Sequence, residues 1–254
     1  MPTVSEIASF LEEKVPSGLK LDFDNVGLLC GFPDREVTRA LVVLDITMDA
    51  IHEADAMDAE LIISHHPLIF TPMRRILDNT PEGKRVIRLL QNGLSAICLH
   101  TNLDRLESGV NSALARALGG EEEEPLDLGC ICRLPEKLGM EAFLTLTKDA
   151  LNAPDMRFYD AGRRVERIAL CGGAGGDIIY EARERGCDTV VTGEIKHHQW
   201  IDGAEMGLNL IEAGHFATEN VVTPVLADML RCEYPEMDVC LSFLQEGISR
   251  GFTF

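Results

Sequence analysis

The chain has 254 residues, enough for one large domain or two small ones with a sizeable core. Apolar residues make up 46% and aromatics only 6%, with a single Trp200, so the core must rest on Leu, Ile, Val and Ala. A formal net charge of −19 excludes a general nucleic-acid or anionic-membrane binder, which needs a cationic surface; a small anionic substrate stays admissible, because metal ions can reverse a local field.

Residues 4–15 space Val4, Ile7, Phe10 and Leu11 on one helical face, with Thr3 or Ser5 as cap and Pro16 to Gly18 as stop. LKLDFDNVGLLCG then reads as extended. Arg39 to Asp45 is a buried strand, Met48 to Ala59 a helix, and Glu60 to Ser64 a short strand that runs into His65-His66-Pro67. Pro67 disfavours helix at His66, which keeps both histidines at the strand end or in the following loop. After a helix over 82–92, the strand Leu94 to Leu99 runs into His100-Thr101-Asn102-Leu103-Asp104, and 109–118 is helical. Strands alternating with helices predict parallel α/β units, whose ligands lie beyond the carboxyl ends of the strands.

Around 119–129 the composition shifts to Gly, Glu and Pro, a boundary, with Glu121 to Glu124 as a solvated loop. A second α/β stretch follows, with strands at Ala142 to Thr147, Ile168 to Cys171, Thr189 to Thr192 and Leu208 to Ile211, and helices at Asp177 to Arg185 and Val221 to Leu230. The N-terminus has no apolar signal core and no apolar run approaches ~20 residues. The eight cysteines form no C-x-x-C, so the expectation is a cytoplasmic protein with reduced, mostly buried thiols and no membrane association.

The second half partly repeats the first. Residues 39–66 and 167–194 align without gaps: Arg39, Asp49, Ile51, Glu53 and Ala54 match Arg167, Asp177, Ile179, Glu181 and Ala182, and ELIIS falls on DTVVT. The first half continues to HTNLD and the second to HFATE, both His-x-x-x-carboxylate after an apolar strand. Two related sub-domains follow, with their polar strand ends facing a shared cleft.

Four clusters of histidine or carboxylate carry the chemistry: His65-His66, His100 with Asp104, His215 with Glu219, and Glu194 with His197-His198. Residues four apart share one helical face, so each His-x-x-x-carboxylate pair could aim two ligands at one point. Imidazole with carboxylate suits Zn, Fe, Mn, Co or Ni. Adjacent residues on extended backbone point apart, so His65 and His66 would reach two ions more readily than chelate one. Two ions ~4 Å apart form the common hydrolytic arrangement. His52 has no partner and reads as a hydrogen-bonded core or surface residue; His197 and His198 read either as supports of the site or as surface groups. The glycine run at 172–176 after Cys171 follows a strand and opens a helix; it could hold an anion on backbone N–H groups or serve tight packing against the sheet. Arg74 and Arg75 could attract an anionic substrate, or be surface charges.

HHPLIF at 65–70, HTNLD at 100–104 and GHFATE at 214–219, with DNVGLLCG at 24–31, CGGAGG at 171–176 and TGEIKHH at 192–198, closely resemble the NIF-three-like family, also called GTP cyclohydrolase 1 type 2 homologues. The resemblance spans nearly the whole chain. It implies two interlinked, partly repeated α/β domains with a dinuclear metal site in the cleft between them: residues 1–125 joined by 215–254 as one half, 126–214 as the other. It assigns two divalent ions to His65, His66, Asp104, His215 and Glu219. His100 matches a histidine close to the metals and is the candidate for proton transfer. It further implies a toroidal homohexamer. Phe23 stands where the family often has Trp, Phe216 where Tyr is common, and TGEIKHHQW where TGDIKYHDA is usual; none of these departures touches the five ligands.

The sequence thus points to a metal-dependent hydrolase acting on a small polar or nucleotide-like molecule. The alternative is a non-enzymatic metal scaffold, metal-trafficking factor or partner-binding ring. Open coordination positions would favour the enzyme and full protein ligation the scaffold.

Overall fold

The computed structural model describes residues 1–244, and the last ten residues of the expected C-terminal segment lie outside that range. Two compact units share the chain; among the described residues, 1–106 and 223–244 form the first and 107–222 the second.

The first unit opens with α1 (Val4–Lys14), capped by Thr3, whose hydroxyl accepts from Glu6 N while the Glu6 carboxylate accepts from Thr3 N. Then come β1 (Gly27–Cys30), β2 (Arg39–Val43), α2 (Met48–Ala56), β3 (Leu61–Ser64), α3 (Pro81–Gln91), β4 (Ser95–Cys98) and the single turn α4 (Thr101–Asp104). Thr80 caps α3 and Pro81 fills its first position, where a missing N–H costs nothing.

The second unit begins with α5 (Val110–Ala117), β5 (Glu121–Leu126), β6 (Gly129–Leu138), α6 (Met140–Leu151), β7 (Arg157–Tyr159) and β8 (Val165–Cys171). It continues with α7 (Ile179–Glu184), β9 (Thr189–Thr192), α8 (His197–Glu205), β10 (Asn209–Glu212) and α9 (His215–Glu219). The chain then returns to the first unit with α10 (Thr223–Glu233) and β11 (Asp238–Leu241).

The first sheet has the order β1-β4-β3-β2-β11, parallel except for β1. The second has the order β5-β6-β8-β9-β10-β7, with β8, β9 and β10 parallel and the outer pairings antiparallel. Parallel strands need covering on both faces, which explains their unbroken apolar runs. Ile168, Leu170, Val191 and Ile211 pack on one face of the second sheet with Phe143 of α6. Their neighbours Ala169, Val190 and Leu210 pack on the other with Ile179 of α7. In the first unit Leu41, Val43, Ile62 and Ala96 meet Ile51 of α2 and Leu89 of α3.

The repeat is visible bond by bond, at the constant offset that carries Arg39 to Arg167. Ala40 pairs with Leu61, and Ile168 with Thr189. Glu60 N donates to Arg39 O (3.1 Å) and Asp188 N to Arg167 O (2.9 Å). The Glu60 carboxylate accepts from Thr38 N and Arg39 N at 2.9 and 3.0 Å. The Asp188 carboxylate accepts from Glu166 N and Arg167 N at 3.1 and 2.8 Å. The guanidinium groups of Arg39 and Arg167 donate to the carbonyls of Met57 and Arg185.

Two expectations change. Ala142 to Thr147 lies inside α6, not in a strand: the local alternation of EAFLTLT misleads, while Met140, Phe143, Thr147 and Leu151 are buried at helical spacing and Asn152 closes the helix in the left-handed region. Glu121 to Glu124 belongs to an edge strand rather than a loop, because Glu123 and Glu124 meet Arg133, Arg167 and Arg185. In the second unit, which starts at Glu107, α5 packs with the core through Leu114, Ala115 and Leu118.

Candidate metal centre

In the first unit, β2, β3 and β4 run parallel and release their functional residues at one edge of the sheet. His65 N and His66 N still donate to Val43 O and Leu44 O (3.3 and 2.9 Å), so both residues sit on backbone held by the strand ladder. His65 is fully buried, and its ring centroid lies 5.0 Å from that of His66 and 5.3 Å from that of His100. His65, His66 and His100 each offer a ring nitrogen within 4.8 Å of the others. The turn of α4, closed by Asp104 N donating to His100 O (3.1 Å), carries Asp104 to 3.6 Å from His65 Nε2.

In the second unit, β10 ends at Glu212, and Gly214, with φ of 90°, leads into α9. One helical turn then brings His215 Nε2 to 3.0 Å from Glu219 Oε2, with the Glu219 side chain almost wholly buried. The glycine run after β8 lies against this pair. Gly173 has φ +62°, and a Cβ there would stand 2.1 Å from Glu219 Oε1 and 3.1 Å from His215 Nε2. Gly173 N donates to Thr218 Oγ1 (3.1 Å), and Gly173 O accepts from Glu194 N (2.9 Å).

Four histidines share one orientation. Nδ1 of His65 lies 2.9 Å from Leu99 O, and Nδ1 of His66, His100 and His215 each lies 2.8 Å from a carboxylate oxygen, of Asp45, Asp24 and Glu194 respectively. A carbonyl or carboxylate oxygen accepts only, so Nδ1 carries a proton in each. That is how histidines are held when Nε2 ligates a metal. Asp24 is the most deeply set of these partners. Burial works against its ionisation, but hydrogen bonds from His100 and from the Thr101 hydroxyl and backbone outweigh burial and hold the carboxyl well below its ordinary range.

The donor set fits a divalent ion. Imidazole and carboxylate ligands bind at about 2.0–2.2 Å, so two donors on one ion stand at most ~4.4 Å apart; His65–Asp104 at 3.6 Å and His215–Glu219 at 3.0 Å both fall within that span.

His52, on α2, and His197 and His198, at the start of α8, are exposed, as are Arg74 and Arg75. Asp24 and Asp45 carry roles that the sequence reading did not assign. Asp45 had a visible signal, because it follows the carboxyl end of β2 as His66 follows that of β3. Among the described residues, no helix is long and apolar enough to cross a membrane.

The family model Duf34/NIF3 (NGG1p interacting factor 3) matches residues 2–247. A GTP cyclohydrolase 1 type 2 homologue of Clostridium perfringens is 33% identical over 226 residues, covering 85% of this chain and 86% of that relative. One from Clostridium acetobutylicum is 32% identical over 227 residues, covering 85% of each. The crystal structure of a Staphylococcus aureus hypothetical protein is similar at a TM-score of 0.89 and 28% identity, covering 98% of this chain and 99% of that one. With its two partly repeated α/β units and a family match over nearly its whole length, the chain belongs to the Duf34/NIF3 family.

Proposed function

We propose that the protein binds two divalent metal ions through His65, His66, Asp104, His215 and Glu219, and that it is a metal-dependent hydrolase acting on a small polar, nucleotide-like molecule. The observation that carries the reading is the common orientation of the histidines, each with Nδ1 on an oxygen acceptor, as histidines are held when Nε2 ligates a metal. A bound divalent ion supplies Lewis acidity toward a carbonyl or phosphoryl oxygen.

His100 serves proton transfer in this reading. Asp24 anchors its Nδ1 at 2.8 Å, which fixes the ring and reserves Nε2 for a proton. The relatives' label, likeness to a GTP cyclohydrolase, supports a nucleotide-like substrate. We place the protein in the cytoplasm, where its eight thiols stay reduced, as a toroidal homohexamer of the kind the family likeness implies.

The test is turnover of a panel of nucleotides and phosphodiesters by metal-loaded and chelator-treated protein, with His100→Ala and Asp104→Ala. The reading expects metal-dependent hydrolysis of at least one compound, lost in both variants. Metal bound without turnover on any compound would overturn the hydrolase and leave a metal-holding scaffold or trafficking factor.

A further inference from the structure

Beside the histidines of the first unit stand two phenylalanines whose rings face water. Phe23 is 64% exposed and Phe70 45%. Their ring centroids are 6.0 Å apart at an interplanar angle of 66°, and the Phe70 ring lies 6.0 Å from that of His100 at 81°. Single exposed apolar residues are ordinary. A contiguous aromatic pair in contact with a cluster of candidate ligands is a different matter, since exposed apolar patches mark places where something binds.

The backbone on either side is fixed. Asn25 Nδ2 donates to Ile69 O (2.6 Å), tying the segment of Phe23 to that of Phe70. The Asp24 carboxylate accepts from Thr101 N (2.9 Å) and holds His100, while Lys20 Nζ donates to Asp24 O (2.7 Å) and Leu21 N to Thr101 Oγ1 (2.9 Å). The Asp24 carboxylate and the Asn25 amide are engaged within the protein, while Asp22 and Phe23 are exposed. The backbone that carries the rings is held before anything arrives, which keeps the ordering cost of binding low.

We propose that Phe23 and Phe70 form an aromatic corner that stacks a flat nitrogen heterocycle of the purine type, carried by the molecule that approaches His100. Two steeply inclined rings allow a third to stack on one and meet the other edge-on, the arrangements aromatic rings prefer. The acidic balance of the chain, −19, suits recognition through an uncharged ring better than through phosphate alone. A second copy of the chain is a poorer occupant for the pair itself. Two phenylalanines supply at most ~500 Å², whereas a stable interface needs about 800 Å² per partner. The proposal deepens the nucleotide-like reading and rests on it for the direction of approach.

The experiment is calorimetric titration of the purified protein with guanosine monophosphate and, as the same sugar phosphate without a base, ribose 5-phosphate. The variants are Phe23→Ala, Phe70→Ala and the conservative Phe23→Trp, with metal content and sedimentation measured on each sample. Binding of the nucleotide should weaken about 5- to 150-fold in either alanine variant, the range expected for losing one base–aromatic stack. Phe23→Trp should retain it, and ribose 5-phosphate should bind all four proteins alike. Nucleotide affinity unchanged in both alanine variants would overturn the corner. So would failure of the nucleotide to bind wild type better than ribose 5-phosphate, or a change in sedimentation with no change in nucleotide affinity, which would make the rings a surface between copies. Metal content reports separately: wild type that takes up no metal defeats the metal reading, whereas metal-replete wild type that ignores the base defeats only the corner.

Discussion

Nδ1 of His215 lies 2.8 Å from Oε1 of Glu194, a residue that emerges from the end of a neighbouring strand and is itself largely exposed. His66 stands in the same relation to Asp45. The carboxylate fixes which nitrogen carries the proton and where the other points. Glu194 therefore acts on the proposed metal through His215 without ligating it.

Glu194→Ala should weaken metal binding about 10- to 100-fold, the usual effect of removing such a partner. Thermal stability of the metal-free protein should barely move, because the Glu194 side chain is 60% exposed. Competition against a chelator of known affinity measures the first and a thermal melt in excess chelator the second. Equal metal affinity in variant and wild type would remove Glu194 from the account.

Gly173→Ala should disturb the His215–Glu219 pair directly. The new Cβ would stand 2.1 Å from Glu219 Oε1 on a backbone with φ +62°. The backbone alone costs about 1 kcal/mol for alanine, and the displaced carboxylate adds to it. Metal content should fall with stability. Gly18→Ala, with nothing within 4 Å of its added Cβ, is the matched control and should do neither.

Asp24 gives the pH dependence its sign. Burial opposes ionisation, but hydrogen bonds from His100 and Thr101 prevail and depress the folded-state pKa. A depressed carboxyl contributes stability that is fully present above the unfolded value of about 4 and is lost as pH falls below it toward the folded value. Asp24→Asn should therefore cost on the order of 2–3 kcal/mol at pH 7, with the gap to wild type constant down to pH ~5 and narrowing below pH ~4. Urea unfolding in chelator at these pH values checks it. A gap that widens toward acid would refute the assignment.

The repeat makes a paired prediction. Glu60 and Asp188 each satisfy two backbone N–H groups at the start of the adjoining strand. Glu60→Ala and Asp188→Ala should each destabilise by about 1–3 kcal/mol, the cost of leaving such donors unpaired. Urea titration that finds one of them silent would show that the matching hydrogen bonds do not carry matching weight.

Much of this was legible in the sequence where the signal is local. The strand ending at Ser64 and the proline after His66 place the two histidines, and the four-residue spacing in HTNLD and HFATE becomes one helical turn each. What was not legible depends on partners far along the chain. Asp24 meets His100 and Asp45 meets His66 only once the sheet is assembled. The acidic run at 121–124 has poor strand propensity, and arginines at 133, 167 and 185 make it an edge strand all the same. EAFLTLT misled because a short local alternation hid a longer helical period.

The central claim is that His65, His66, Asp104, His215 and Glu219 hold divalent metal, and elemental analysis of the protein after metal loading and desalting tests it most directly. Wild type should retain about two ions per chain, the number in a dinuclear site, and Asp104→Ala and Glu219→Ala should each retain clearly fewer while remaining folded by circular dichroism. Wild type that emerges metal-free, or variants that retain the wild-type amount, would contradict it.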